Sequence, residues 1–153
     1  MTRPPTPMAQ RPAQGSFLNP RFLLLVFLGG AAGTACRQGL GLLLPDPGGF
    51  PIAIFLANML GAFLLGLLLE ALSHPGLDEG KRHRLRLLLG TGFLGGFTTY
   101  SALATGSMQM FASGAALHAL GYALFTVFFG ALATWCGIAA GARRMARKSG
   151  GLH

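Results

Sequence analysis

Acidic side chains are scarce in this sequence: Asp46, Glu70, Asp78 and Glu79 are the only four among 153 residues. None lies deep in an apolar run, so the embedded carboxylate on which a proton-coupled carrier relies is missing. No Walker loop, nucleophile elbow or paired-carboxylate arrangement occurs, and an enzyme is not expected. Cysteine is nearly absent too; Cys36 and Cys136 fall within apolar runs, where packing is the usual role, and no Cys/His spacing suggests zinc. Charged residues of both signs make up 10% of the chain, where a soluble domain carries about a quarter. The 24 glycines have no G-X-Y period, which excludes collagen. Low charge combined with long apolar runs excludes a chain disordered throughout.

What is present in quantity is long, mainly apolar sequence. A helix crossing the hydrocarbon layer needs about 20 mainly apolar residues, and four stretches qualify: 22–44, 51–72, 87–110 and 116–140. Between them lie a Pro/Gly turn at 45–49, a polar basic loop at 73–86 and a very short link at Ser113-Gly114. One soluble core cannot hide four such helices at this length, so the chain reads as an all-α membrane protein with four transmembrane helices. Residues 1–20 hold five of the nine prolines and read as a disordered tail. Residues 21–142 form the membrane domain and 143–153 a basic C-terminal tail. Gly33-Thr34-Ala35-Cys36 has a weak likeness to a lipoprotein cleavage site, but Gly33 stands where a large aliphatic residue is required, and apolar sequence resumes to Leu44.

The basic residues sort by position. Arg3, Arg11 and Arg21 precede the first span; Lys81, Arg82, Arg84 and Arg86 lie between the second and third; Arg143, Arg144, Arg147 and Lys148 follow the fourth. Eleven of the twelve therefore fall on one side, none falls in the two opposite loops, and Arg37 sits inside the first span. The positive-inside rule places both termini and the central loop in the cytoplasm. A net charge of +8 raises the question of nucleic acid, but these residues flank spans and have no interleaved aromatic platform, so no nucleic-acid partner is expected. They read as topology determinants facing the lipid bilayer and its anionic headgroups.

Polar groups inside the spans need a partner or a purpose. Gly29, Gly33, Arg37 and Gly41 recur at four-residue spacing, a small-residue ridge for close helix approach. Arg37, near the outer end of its span, reads either as an arginine snorkelling to the interface or as a fixed positive charge at a pore mouth. Asn58, with Ala62 and Gly66 on its ridge, is either interhelical glue or an NH₂ donor to an anion. The third span runs Gly90-Thr91-Gly92-Phe93-Leu94-Gly95-Gly96-Phe97-Thr98-Thr99-Tyr100-Ser101. Glycine costs a helix about 1 kcal/mol against alanine, and a Gly-Gly pair beside two threonines predicts a break at mid-membrane. Carbonyls freed there suit a hard cation; a flexible kink is the alternative. His118, Tyr122, Thr126, Gly130 and Thr134 step down one face of the last span. Their hydroxyls form a donor track if they face a pore, or else bond their own i−4 carbonyls.

These pieces together resemble the CrcB/Fluc fluoride channel family over about residues 27–140. The matching motifs are Gly29-Gly30-x-x-Gly33-x-x-x-Arg37, Asn58-x-x-Gly61-x-Phe63-x-x-Gly66, the stretch from Gly92 to Ser101, and Tyr122-x-x-x-Thr126. The resemblance implies a four-helix subunit that pairs antiparallel with a second one to form two narrow fluoride pores in the cell membrane. Permeation is then passive export that lowers cytoplasmic fluoride. The resemblance also implies a structural, non-transported Na⁺ held by backbone carbonyls of the broken span, here those of Gly95 and Thr98. Asn58, Tyr100, Ser101, Tyr122 and Thr126 fall on the fluoride pathway, with Arg37 at the pore mouth. Leu103 stands at the family's second aromatic position and Gly106 at the place of a glutamate. The one-sided charge predicts a fixed orientation, which points to pairing with an oppositely biased paralogue; pairing with a second copy of itself is the alternative. A non-conducting accessory subunit and a small four-helix cation or drug exporter are the alternatives.

Overall fold

The structure, a computed structural model, describes residues 19–44, 51–74 and 78–150, with side chains as far as 146. The predicted turn at 45–49 and all but the last two residues of the predicted tail at 1–20 lie outside the described residues, as do 75–77 of the expected loop and 151–153 of the C-terminal tail.

Helix α1 (Pro20–Leu43) starts where the sequence provides a cap: Asn19 Oδ1 accepts the Arg21 N–H at 3.1 Å, and Pro20 occupies the first helical position. It ends at Leu44 in extended conformation, as expected for a residue that precedes proline in the sequence. Helix α2 (Ile52–Ser73) ends the same way at His74, before Pro75. The third span is a composite. Helix α3 (Glu79–Leu85) runs into a π-helical stretch (Arg86–Leu94), then into the single turn α4 (Gly95–Phe97). Thr98 and Thr99 are extended, with φ/ψ of −82°/152° and −150°/120°, and α5 (Tyr100–Ala112) resumes beyond them. Gly114, at φ 84°, makes the left-handed turn into α6 (Ala116–Gly150), a conformation that favours glycine.

Two boundaries differ from those read off the sequence. The loop expected at 73–86 is helical from Glu79, because the segment contains no breaker after Gly80 and Arg84 Nε ties back to the Gly80 carbonyl at 3.1 Å. The backbone of α6 likewise stays helical past residue 143. Alanine, arginine, methionine and lysine, all strong helix formers, carry it to Gly150.

Four helical spans of 24, 22, 34 and 31 residues are long and apolar enough to cross a membrane. The chain is therefore a polytopic, all-helical membrane protein. Its buried core is small, comprising Ala53, Ala57, Leu72, Leu94, Phe97, Leu103, Ala119 and Tyr122, while Leu23, Phe27, Leu117, Phe128 and Trp135 are exposed. So large an apolar surface belongs in hydrocarbon or against another subunit.

The spans meet backbone to backbone. A Cβ on Gly33 would run into the Phe93 carbonyl, one on Gly66 into the Thr134 carbonyl, and one on Gly137 into the Phe63 carbonyl. Thus α1 lies against the π-helical stretch and α2 against α6, the close approach that small residues permit. The ridge of α1 makes this contact at Gly29 and Gly33, whereas Gly41 has open space around it. Phe22 and His83 meet ring edge to face at 4.9 Å, and Gly141 abuts Glu70. The start of α1, the end of α2, the start of α3 and the end of α6 therefore share one end of the bundle, and it is the basic end.

Candidate functional site

The break between α4 and α5 follows from local chemistry. Gly95 and Gly96 hold helical conformation weakly, and β-branched Thr98 and Thr99 favour the extended one. Thr98 Oγ1 donates back to the Leu94 carbonyl at 2.8 Å, closing the first half. Thr99 is the N-cap of the second half: its Oγ1 accepts the Ala102 N–H at 3.2 Å and lies 3.0 Å from Ser101 Oγ.

Polar groups released by the break are taken up from both sides. Asn58 of α2 grips the Thr99 peptide twice: Thr99 N–H donates to Oδ1 at 2.9 Å, and Nδ2 donates to the Thr99 carbonyl at 3.3 Å. From α1, Arg37 Nε and Thr34 Oγ1 both donate to the Gly96 carbonyl, each at 3.4 Å. A second Arg37 nitrogen reaches Gln38 Oε1 at 3.4 Å.

Among the carbonyls that lose their helical donors in this arrangement are those of Gly95 and Thr98. Thr99 N–H would bond Gly95 O in a continuous helix, and Ala102 N–H would bond Thr98 O, but both are diverted to side chains. Neutral carbonyl oxygens at an interrupted helix are the donors a hard monovalent cation takes. No group of three or more His, Cys, Asp or Glu side chains able to hold a metal ion occurs among the described residues. A cation here would take neutral oxygens, and the carbonyls of Gly95 and Thr98 are oxygens of the kind sodium accepts.

Asn58, Gly95, Thr98, Thr99, Tyr100 and Thr126 line one open groove of about 360 Å³, with Leu103 on its wall. Arg37, Thr99, Ser101, Thr105 and Gln109 line a second cavity of about 460 Å³ on the other side of the break, closed by Gly106 and Pro51. Of the residues singled out in the sequence, five thus share the groove, while Arg37 and Ser101 face the second cavity. Tyr122 is buried at 3% exposure and borders a separate recess with His118 and Phe125. Thr126 Oγ1 donates to the Tyr122 carbonyl at 2.8 Å and Thr134 Oγ1 to the Gly130 carbonyl at 3.0 Å, so both bond their own helix. Tyr100 is 81% exposed and projects from the subunit surface.

Thr99 and Thr34 were not singled out by sequence reasoning. Thr99 had a usable signal, a threonine just before a renewed helical run. Thr34 had none beyond its place beside the glycine ridge.

A small four-span protein whose third span is broken at two threonines, with an asparagine from one neighbour and an arginine from another fastened to the break, is built like an ion-conducting subunit rather than a soluble catalyst. The family model described as "CrcB-like protein, Camphor Resistance (CrcB)" matches residues 24–138, and the chain belongs to that family. It is similar to the fluoride-specific ion channel FluC 2 of Leifsonia xyli, with 50% identity over 97 residues covering 63% of this chain and 67% of the relative. It is also similar to FluC 1 of Cutibacterium acnes, with 45% identity over 114 residues covering 72% and 80%. FluC of Thermus thermophilus is 44% identical over 102 residues, covering 65% and 78%.

Proposed function

We propose that the chain is a subunit of a fluoride channel of the cell membrane that lets fluoride leave the cytoplasm passively. The observation that carries this reading is the broken third span, clamped by Asn58 and lined with donors, in a chain of this family. Fluoride is small and strongly hydrated, so a pathway must replace its water with donors in fixed positions. Asn58 spends one Nδ2 hydrogen on Thr99 and has a second to offer. The positive ring edge of Tyr100 extends the donor set in the groove it shares with Thr126, and the Ser101 hydroxyl and the Tyr122 phenol offer donors in the neighbouring cavities. Arg37 supplies positive charge at the mouth.

Gly95 and Thr98 would hold a structural Na⁺ through their carbonyls. Such an ion supplies fixed positive charge at the break, and the support for it is the diversion of both helical donors described above. Around it, Asn58, Thr34 and Arg37 hold the interrupted backbone in place.

The second subunit is antiparallel to the first. Since eleven basic residues lie on one side of the chain and none in the opposite loops, the chain inserts with both termini cytoplasmic. Its partner is then an oppositely biased paralogue. Cysteine labelling of both termini from either side of the membrane tests this, and equal inward and outward populations of the lone chain would overturn it.

A second reading, a non-conducting accessory subunit, is favoured by Leu103, which lines the groove with an aliphatic wall where the family carries an aromatic ring. Fluoride efflux from liposomes holding the purified chain, alone and with its paralogue, separates the two. Efflux selective over chloride and dependent on sodium supports the channel; no efflux from either preparation supports the accessory role.

A further inference from the structure

At the basic end of the bundle, the start of α1 and Gly80, His83 and Arg84 of α3 border an open groove of about 620 Å³. Its rim carries Arg21, His83 and Arg84, and its floor is Phe22, Leu24 and Leu25. We propose that this groove binds the headgroup of an anionic phospholipid, with the acyl chain continuing along α1.

Both arginines have donors to spend. Arg84 is steadied by the bond from Nε to the Gly80 carbonyl at 3.1 Å, which uses one of its five N–H donors. Only the Arg21 main chain is engaged, by Asn19. Among the described residues, no carboxylate comes within ion-pairing distance of either; the single close pair is His74 with Glu70. Asp78 lies near Gly80, with Oδ2 3.2 Å from where a Gly80 Cβ would stand, but pairs with neither arginine. The groove is also held in shape, because the Phe22 ring packs edge to face on His83 at 4.9 Å and fixes α1 against α3. Guanidinium groups match phosphate oxygens in geometry as well as charge.

The floor decides between a lipid and a free phosphate. Phe22, Leu24 and Leu25 offer a phosphate ion nothing, whereas an acyl chain can lie over them and onto the rest of the span. Leu24 is 55% exposed, so that path is open along α1. The position is also right. Arg21 stands where the apolar span meets its polar flank, the level at which headgroups lie.

The test is retention of lipid by the detergent-purified full chain in native mass spectrometry, offered 1-palmitoyl-2-oleoyl phosphatidylglycerol or its phosphatidylcholine counterpart. The wild-type chain retains the phosphatidylglycerol in preference. The double variant Arg21→Gln/Arg84→Gln loses about 30-fold in that preference, on the basis of about fivefold per arginine. The control Arg143→Gln/Arg144→Gln removes the same charge from the same end and keeps the preference. Each single variant loses about fivefold and carries the test if the double variant does not purify. Equal retention of the two lipids overturns the proposal, as does equal loss in the control, which would mean a diffuse positive surface. Displacement of the lipid by millimolar inorganic phosphate would also overturn it, since the apolar floor would then contribute nothing. None of these outcomes bears on fluoride conduction.

Discussion

Replacing Asn58 by leucine keeps the side chain near its volume and removes both bonds to the Thr99 peptide. Interhelical hydrogen bonds in membrane proteins contribute about 0.6–2 kcal/mol each. The Thr99 N–H is left part-buried without an acceptor, which adds about 1–3 kcal/mol. The ordered break is therefore destabilised by about 2–7 kcal/mol, or about 30- to 100,000-fold in the ratio of ordered to disordered segment. Hydrogen exchange of the protein in nanodiscs reads this directly, with amides 98–102 exchanging faster by that factor and those of α2 and α6 unchanged. Fluoride efflux falls in parallel. Asn58→Asp separates the two duties of the residue. It keeps an oxygen for the Thr99 N–H, so protection is largely retained, yet it withdraws the NH₂ donor and adds negative charge, so efflux is still lost. Exchange of the leucine variant within twofold of wild type would refute the clamp, whatever happened to efflux.

Gly33→Val forces a side chain into the Phe93 carbonyl and destabilises the α1 contact by about 1–3 kcal/mol or more, read as lost thermal stability in detergent. Gly39→Ala, at a position with nothing within 4 Å, gains up to about 1 kcal/mol in helix propensity. Thr99→Val preserves shape but deletes the N-cap of α5, costing about 1 kcal/mol, and a lowered melting temperature checks it. Replacing sodium by a large organic cation on both sides of the membrane abolishes efflux if the Gly95 and Thr98 carbonyls bind the ion, and leaves the rate unchanged if they do not.

The membrane class was legible because it depends on composition over twenty-residue windows, and four runs with at most one charge each leave no other fold. The position of the break was legible for a related reason: Gly95-Gly96 followed by Thr98-Thr99 is a local conflict with helix. What fills the break was not. Asn58 and Thr99 are 41 residues apart, Thr34 and Gly96 62, and no periodicity encodes which carbonyl a side chain will meet across an interface. The π-helical stretch was also hidden, since one residue of extra winding leaves the apolar pattern almost unchanged. The Gly41 end of the ridge failed for a geometric reason: i+4 spacing defines a face, while the crossing angle decides how far along that face two helices stay in touch.

Thr99 lines both the groove and the cavity that holds Arg37. It is the residue common to the two linings. If the proposed fluoride pathway joins them, an ion crosses beside the Thr99 hydroxyl, and side-chain rotation on the picosecond-to-nanosecond scale would suffice there, without the microsecond-to-millisecond tilting of spans that a carrier needs. On that proposal throughput would be set by dehydration at a single checkpoint, with the temperature dependence of shedding water and not that of rearranging a fold.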